Sequence, residues 1–133
     1  MAENVTVLRG QPVVNEDDVA GSVLMPGLAL VGAGTVLAGA AAIARFSLER
    51  DELGQGVLDA YASGDVVKTG TFHQGHRVLA WIPSGATITA DDEVVADAAG
   101  MMETLGTGTG TVLGRALDTI TATADGHIRI EVG

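Results

Sequence analysis

A mainly β domain is predicted for this chain of 133 residues, on three observations. The last strand-like run alternates strictly: Ile128, Ile130 and Val132 point one way and His127, Arg129 and Glu131 the other, directly after the turn pair Asp125-Gly126. From Val66 onward, short β-prone runs recur between turn clusters, as in a small barrel or sandwich. The one segment with helical spacing, through Ile43, Phe46, Leu53 and Val57, is broken by Gly54-Gln55-Gly56 and reads equally well as a strand.

In chain order, residues 1–22 read as an extended N-terminal arm and 23–133 as the β domain. Val5-Thr6-Val7-Leu8 is β-prone, Pro12 confines any strand there to an edge, and Asn15-Glu16-Asp17-Asp18 is too polar to join a core by itself. Leu28 to Val31 and Thr35 to Leu37 fit short strands around Gly32-Ala33-Gly34. A strand is expected over 43–49, then a loop with at most a short helix near 57–62. Val66 to Phe72 and Arg77 to Ile82 flank His73-Gln74-Gly75-His76, which reads as a hairpin turn. Glu93 to Ala96 and Met101 to Thr104 flank Asp97-Ala98-Ala99-Gly100 as a second hairpin, and Val112 begins a further strand. Gly34-Thr35-Val36-Leu37 recurs as Gly110-Thr111-Val112-Leu113, but the spacing beyond the two copies differs, so a duplication does not follow.

Composition limits what such a domain can do. Hydrophobic residues make up 47%, yet Phe46, Tyr61, Phe72 and Trp81 are the only aromatics, so the core must be built from Ala, Val, Leu and Ile. Burying a Val or Leu contributes only about 1.5 to 3 kcal/mol, and the 19 glycines raise the entropy lost on folding. A thin core of this kind favours an oligomer or a docked subunit, and the lone Trp81 is placed either in the core or as an anchor at a subunit interface. The net charge of -10, with Lys68 the only lysine, argues against a nucleic-acid groove and an anionic membrane surface. Absence of cysteine removes disulfides and thiolate chemistry. Val19 to Ala44 is uncharged and long enough for a membrane span, but Pro26 and five glycines favour short strands, buried or in an interface.

Motifs for catalysis and cofactors fail in detail. The run Gly106 to Gly114 has Leu113 where the dinucleotide fingerprint needs glycine, and lacks the Walker lysine. His73, His76 and His127 have no diagnostic ligand spacing, Asp91-Asp92-Glu93 lacks the alternation of a calcium loop, and no serine sits in a nucleophile elbow. No carboxylate pair is singled out for glycoside chemistry. The expectation is therefore a protein with no catalytic residue, no metal and no cofactor.

The order Ala44-Arg45, Asp59-Ala60-Tyr61, Gly64-Asp65 with Val67, the Ile88 to Gly100 hairpin, Gly114-Arg115-Ala116-Leu117 and a β C-terminus resembles the small capsid decoration (head cement) proteins of tailed bacteriophages, over roughly 43–132. The resemblance implies a β-tulip or barrel-like subunit with an arm that reaches along the shell. It implies homotrimers on the outside of the virion, whose partner is the major capsid protein and whose role is to hold neighbouring shell subunits together. The acidic 15–18 stretch and the uncharged 19–44 segment lie outside the pattern. On this reading Val5, Val7, Leu8, Arg9 and Pro12 bind the capsid by adding a strand to a partner sheet, residues 1–14 docking there rather than on their own domain, and Trp81 lies in the oligomer interface. The alternative is a small oligomeric β-barrel binding module for a carbohydrate or peptide.

Overall fold

The computed structural model describes residues 6–12, 14–50, 55–108 and 110–133. All regular structure among them is β, in agreement with the expected class. The strands are β1 (Val7–Arg9), β2 (Val14–Ala20), β3 (Leu30–Val31), β4 (Thr35–Ala38), β5 (Arg45–Leu48), β6 (Val66–Thr71), β7 (Arg77–Ile82), β8 (Thr87–Ile88), β9 (Glu93–Ala96), β10 (Met102–Thr104), β11 (Val112–Ala116), β12 (Ile120–Thr121) and β13 (Gly126–Val132). They form a six-stranded sheet in the order β1-β7-β13-β11-β9-β10, a five-stranded sheet in the order β3-β4-β2-β6-β5, and the pair β12-β8. Pairing is antiparallel throughout except between β2 and β4. The six-stranded sheet curls until β10 comes against β7 and β8, yet its hydrogen-bonded order ends at β1 and β10, so it is not a closed barrel.

Alternation decides which side chains meet. Along β13, Ile128, Ile130 and Val132 are buried while Arg129 is exposed, as the period-2 pattern requires. With Val78, Ala80 and Ile82 of β7 they build the main core, which Phe46 and Leu48 of β5 and Phe72 complete. Phe46 and Phe72 meet edge to face, ring centroids 6.1 Å apart. A second cluster lies against the opposite face of the five-stranded sheet: Leu24, Leu28, Leu30 and Tyr61 cover Ala20, Val36 and Val67, and Trp81 joins it from β7. The hydroxyl of buried Ser47 ties the crossing segment down by donating to the Met25 carbonyl (2.6 Å) and accepting from the Leu28 amide (3.2 Å). The uncharged 19–44 run thus folds as short strands and buried loop, and no helix among the described residues is long and apolar enough to cross a membrane.

Two expectations need correction. Residues 73–76 do not close a hairpin, because β6 and β7 belong to different sheets. Phe72 is drawn into the main core, its amide bonds the Ala44 carbonyl, and the turn hands the chain from one sheet to the other. Nor do residues 7–20 form an arm detached from their own domain. Val7 pairs with Val78, and β2 is an interior strand of the five-stranded sheet, matched to β6 from Val14↔Thr71 to Val19↔Val66. The short β1 finds the open edge of β7 within its own chain, so no partner sheet is needed to satisfy its backbone. No helix forms among the described residues of 57–62. The 97–100 hairpin stands as expected, with Met102 opposite Ala96.

The outer face of the six-stranded sheet carries a row of charged side chains that alternates in sign from Glu93 to Arg77 and ends on a second arginine. Glu93 lies opposite Arg115, Arg115 opposite Glu131, Glu131 opposite Arg77, and Arg77 opposite Arg9. Arg77 Nε reaches Glu131 at 3.0 Å. Beneath this row β11 and β13 approach so closely that a Cβ on Gly114 would stand 2.1 Å from the Glu131 carbonyl oxygen. Gly114→Ala is therefore expected to force the two strands apart and cost about 1 to 3 kcal/mol, seen as a lower thermal midpoint. Gly126→Ala, whose Cβ would meet nothing nearer than the Ala124 oxygen at 3.8 Å, should change the unfolding free energy by no more than about 1 kcal/mol and barely move the midpoint.

Candidate interaction surface

The acidic segment is held in the sheet by two donors. Asp18 is 5% exposed; its Oδ1 accepts from the Gly34 amide (3.2 Å) and its Oδ2 from the Thr69 hydroxyl (3.1 Å). Charge-assisted bonds of this kind offset the desolvation of a carboxylate. Asn15, Glu16 and Asp17 stay exposed, so β2 buries one carboxylate and leaves the others in water. Glu49, the other buried carboxylate among the described residues, accepts from the Thr6 amide and, at 2.7 Å, from the Thr6 hydroxyl. That bond fixes the start of β1.

On the face of β2 opposite to Asp18, Arg50 crosses β6 to bind Asp17 Oδ1 at 2.6 Å and the Val66 carbonyl at 3.3 Å. An open groove of about 720 Å³ runs beside this ion pair, lined by Asp17, Arg50, Gln55, Asp59, Tyr61 and Asp65, with Val66 on its shoulder. Asp59 and Asp65 each accept from a backbone amide three residues earlier, Gly56 and Ala62, both at 2.8 Å. Tyr61 donates to the Leu48 carbonyl at 2.6 Å, so its ring forms the floor and its hydroxyl is engaged. Val66 pairs with Val19 across the ladder, and Leu37 lies over Gly21 beside them; the three are 53%, 41% and 45% exposed. The groove thus offers carboxylates next to an apolar strip, a surface suited to protein contact.

The edge of β2 is only half covered. Val19 donates its amide outward to the Gly34 carbonyl at 2.6 Å, and β4 matches β2 at Val19↔Thr35 and Ala20↔Val36 alone. Strand alternation places the amides and carbonyls of Asp17 and Asn15 on that same outward side. Among the described residues, no backbone group pairs with them there.

The residues singled out in the sequence fall elsewhere. Val5 lies outside the described residues. Val7 and Leu8 are half-buried on the edge of the six-stranded sheet, Arg9 is exposed with a 4.0 Å approach to Glu131, and Pro12 packs beside Gly70 and Leu48. Trp81 is half-buried: its indole N–H donates to the Pro26 carbonyl at 2.7 Å and its ring lies 3.9 Å from that of His127. His73 and His76 come together at the turn, ring centroids 6.4 Å apart, with His76 Nδ1 accepting from the His73 amide. Among the described residues no three His, Asp or Glu side chains stand in a metal-binding group.

Among the described residues, the surroundings of Asp118 and His127 displace their pKa values downward. The Arg129 guanidinium, forked onto Asp118 with contacts of 2.5 to 3.1 Å, holds that carboxyl below its ordinary value against the opposing effect of burial. Burial lowers the His127 imidazole, whose Nε2 has no partner among the described residues.

No protein-family model matches the chain, and no curated protein matches it. Among solved structures, it is similar to the N base of the head fiber gp8.5 in bacteriophage phi29, with a TM-score of 0.57, over 90% of this chain and 93% of that one, at 14% identity. The two chains share a fold across nearly their whole lengths.

The pH dependence of stability follows from His127. Its folded-state value lies below the unfolded one, so the unfolded chain takes up the proton first as pH falls. Its contribution is fully present above the ordinary histidine value of about 6.5 and is lost as pH drops from there through the folded-state value. Asp118 adds a separate loss at lower pH, as its carboxylate protonates. Urea unfolding at a series of pH values should show the first loss in the wild type and not in His127→Gln.

Proposed function

We propose that this chain is a non-enzymatic structural protein of a bacteriophage head, attached to the outer surface of the capsid as a homotrimer and stabilising it. The observation that carries this reading is the fold shared with a phage head fiber base over nine-tenths of the chain. It is supported by the order of sequence motifs that resembles the decoration proteins. The thin core agrees: Phe46 is the one aromatic among the largest fully buried side chains, so contact with other subunits adds stability the monomer has in short supply. In such a trimer the exposed part of Trp81 contributes to the subunit contact. Arg9, the exposed member of the set Val7, Leu8, Arg9 and Pro12, faces the major capsid protein.

The mechanism is mechanical. A trimer bound across neighbouring shell subunits must be released before they separate, so its binding free energy adds to the barrier against rupture.

Sedimentation of the purified chain should give a particle of about 40 kDa, three times 13.4 kDa, rather than a monomer. Gold-labelled antibody against the chain should decorate the heads of tailed particles in lysates of the source. A monomer at all concentrations would remove the trimer, and gold confined to soluble material would remove the head assignment.

A further inference from the structure

We infer that the uncovered half of the β2 edge, from Val14 to Asp18, accepts an extended segment of another protein carrying lysine or arginine, which adds to the five-stranded sheet as a strand in line with β4. Three observations support this. The edge is real: Val19 bonds outward to Gly34, β4 stops there, and the outward groups of Asn15 and Asp17 have no backbone partner among the described residues. Unpaired edges of this kind are templates for strand addition.

It is also the longest such edge described. β1, β3 and β10 span two or three residues, and the free side of β5 is closed by the bonds Gly27 N–H to Ser47 O and Ser47 N–H to Leu28 O.

Its charge selects the occupant. Glu16 and Asp17 project on opposite faces beside the edge and Asp59 and Asp65 line the adjoining groove, while Arg50, bound to Asp17, and Lys68, opposite Asp17 on β6, are the cations beside them. A second copy of the same strand would set carboxylate against carboxylate, within a chain of net charge -10. A basic strand meets a surface where the four carboxylates Glu16, Asp17, Asp59 and Asp65 outnumber the two cations Arg50 and Lys68, and its apolar side chains can reach Val19 and Val66.

The test needs no phage head, so it fails or succeeds separately from the head assignment. The ¹⁵N-labelled chain is titrated with a synthetic octapeptide alternating lysine and valine, and with its glutamate–valine counterpart. Amide shifts are expected from Asn15 to Val19, with slowed hydrogen exchange at Asn15 and Asp17, for the lysine peptide alone. The double change Glu16→Lys and Asp17→Lys should weaken binding about tenfold or more, as should 0.5 M salt. Asn15→Pro deletes one outward donor while leaving the ladder to β6, which uses the other side of the strand, and should abolish the exchange protection. Thermal midpoints of both variants establish that they fold. No shifts, shifts elsewhere, or equal binding of the glutamate peptide would overturn the proposal. So would an Asn15→Pro variant that dissociates an assembly of the chain alone, since the edge would then join copies of itself.

Discussion

The pairing of β2 with β6 depends on how one carboxylate is accommodated. Asp18 faces inward in a strand that contains no aromatic or isoleucine, and it is tolerable there because Gly34 and Thr69 donate to its two oxygens. Within the sheet order, β2 stands between the β3-β4 hairpin and the β6-β5 half, which also meet directly where Ala29 bridges Phe46. Without those donors a desolvated charge would sit against Val67 and Val36, at a cost of several kcal/mol. The same contact sets where β4 begins, because the Gly34 amide that reaches Asp18 terminates the approach of β4 to β2. Burial of one side chain and exposure of the edge beyond it are thus two results of one arrangement.

Much of the fold was legible in the sequence wherever local pattern and tertiary pairing agree. β13 alternates because one face meets the core, and Asp97 to Gly100 make a turn because Gly100 takes a positive φ (76°) there. Gly34-Thr35-Val36-Leu37 likewise announced β4. The misreadings came from long-range causes. Asn-Glu-Asp-Asp is a poor strand former by propensity, and nothing near it in sequence shows that Thr69, fifty-one residues away, completes the site. The turn at 73–76 has the residues of a hairpin, yet Phe72 is claimed by the main core, and no local rule distinguishes a hairpin from a corner between sheets. The groove was not legible for the same reason: Asp17, Arg50 and Asp65 are brought together by the β2-β6 and β5-β6 ladders alone.

Apolar residues placed outside the core tell a consistent story with the charges. Val19, Leu37 and Val66 sit on a sheet face whose other end is covered by Phe46 and Leu48, so half of one surface is interior and half is open. The six-stranded sheet does the reverse, presenting its row of Glu93, Arg115, Glu131 and Arg77 to water. The exposed apolar strip thus lies on the five-stranded sheet, and the charged row keeps the outer face of the larger sheet solvated.

Trp81 links the two halves of the molecule, and it is the single tryptophan of the chain. Its ring lies on His127 of β13, its N–H holds the Pro26 carbonyl, and it packs against the cluster of Leu24 and Tyr61. Intrinsic fluorescence excited at the indole band consequently reports one locus only, the seam where the two sheets and the crossing segment meet. Loosening of that seam would shift the emission to the red, and an imidazolium on His127 would quench it, so one optical signal separates parting of the sheets from protonation within an intact fold.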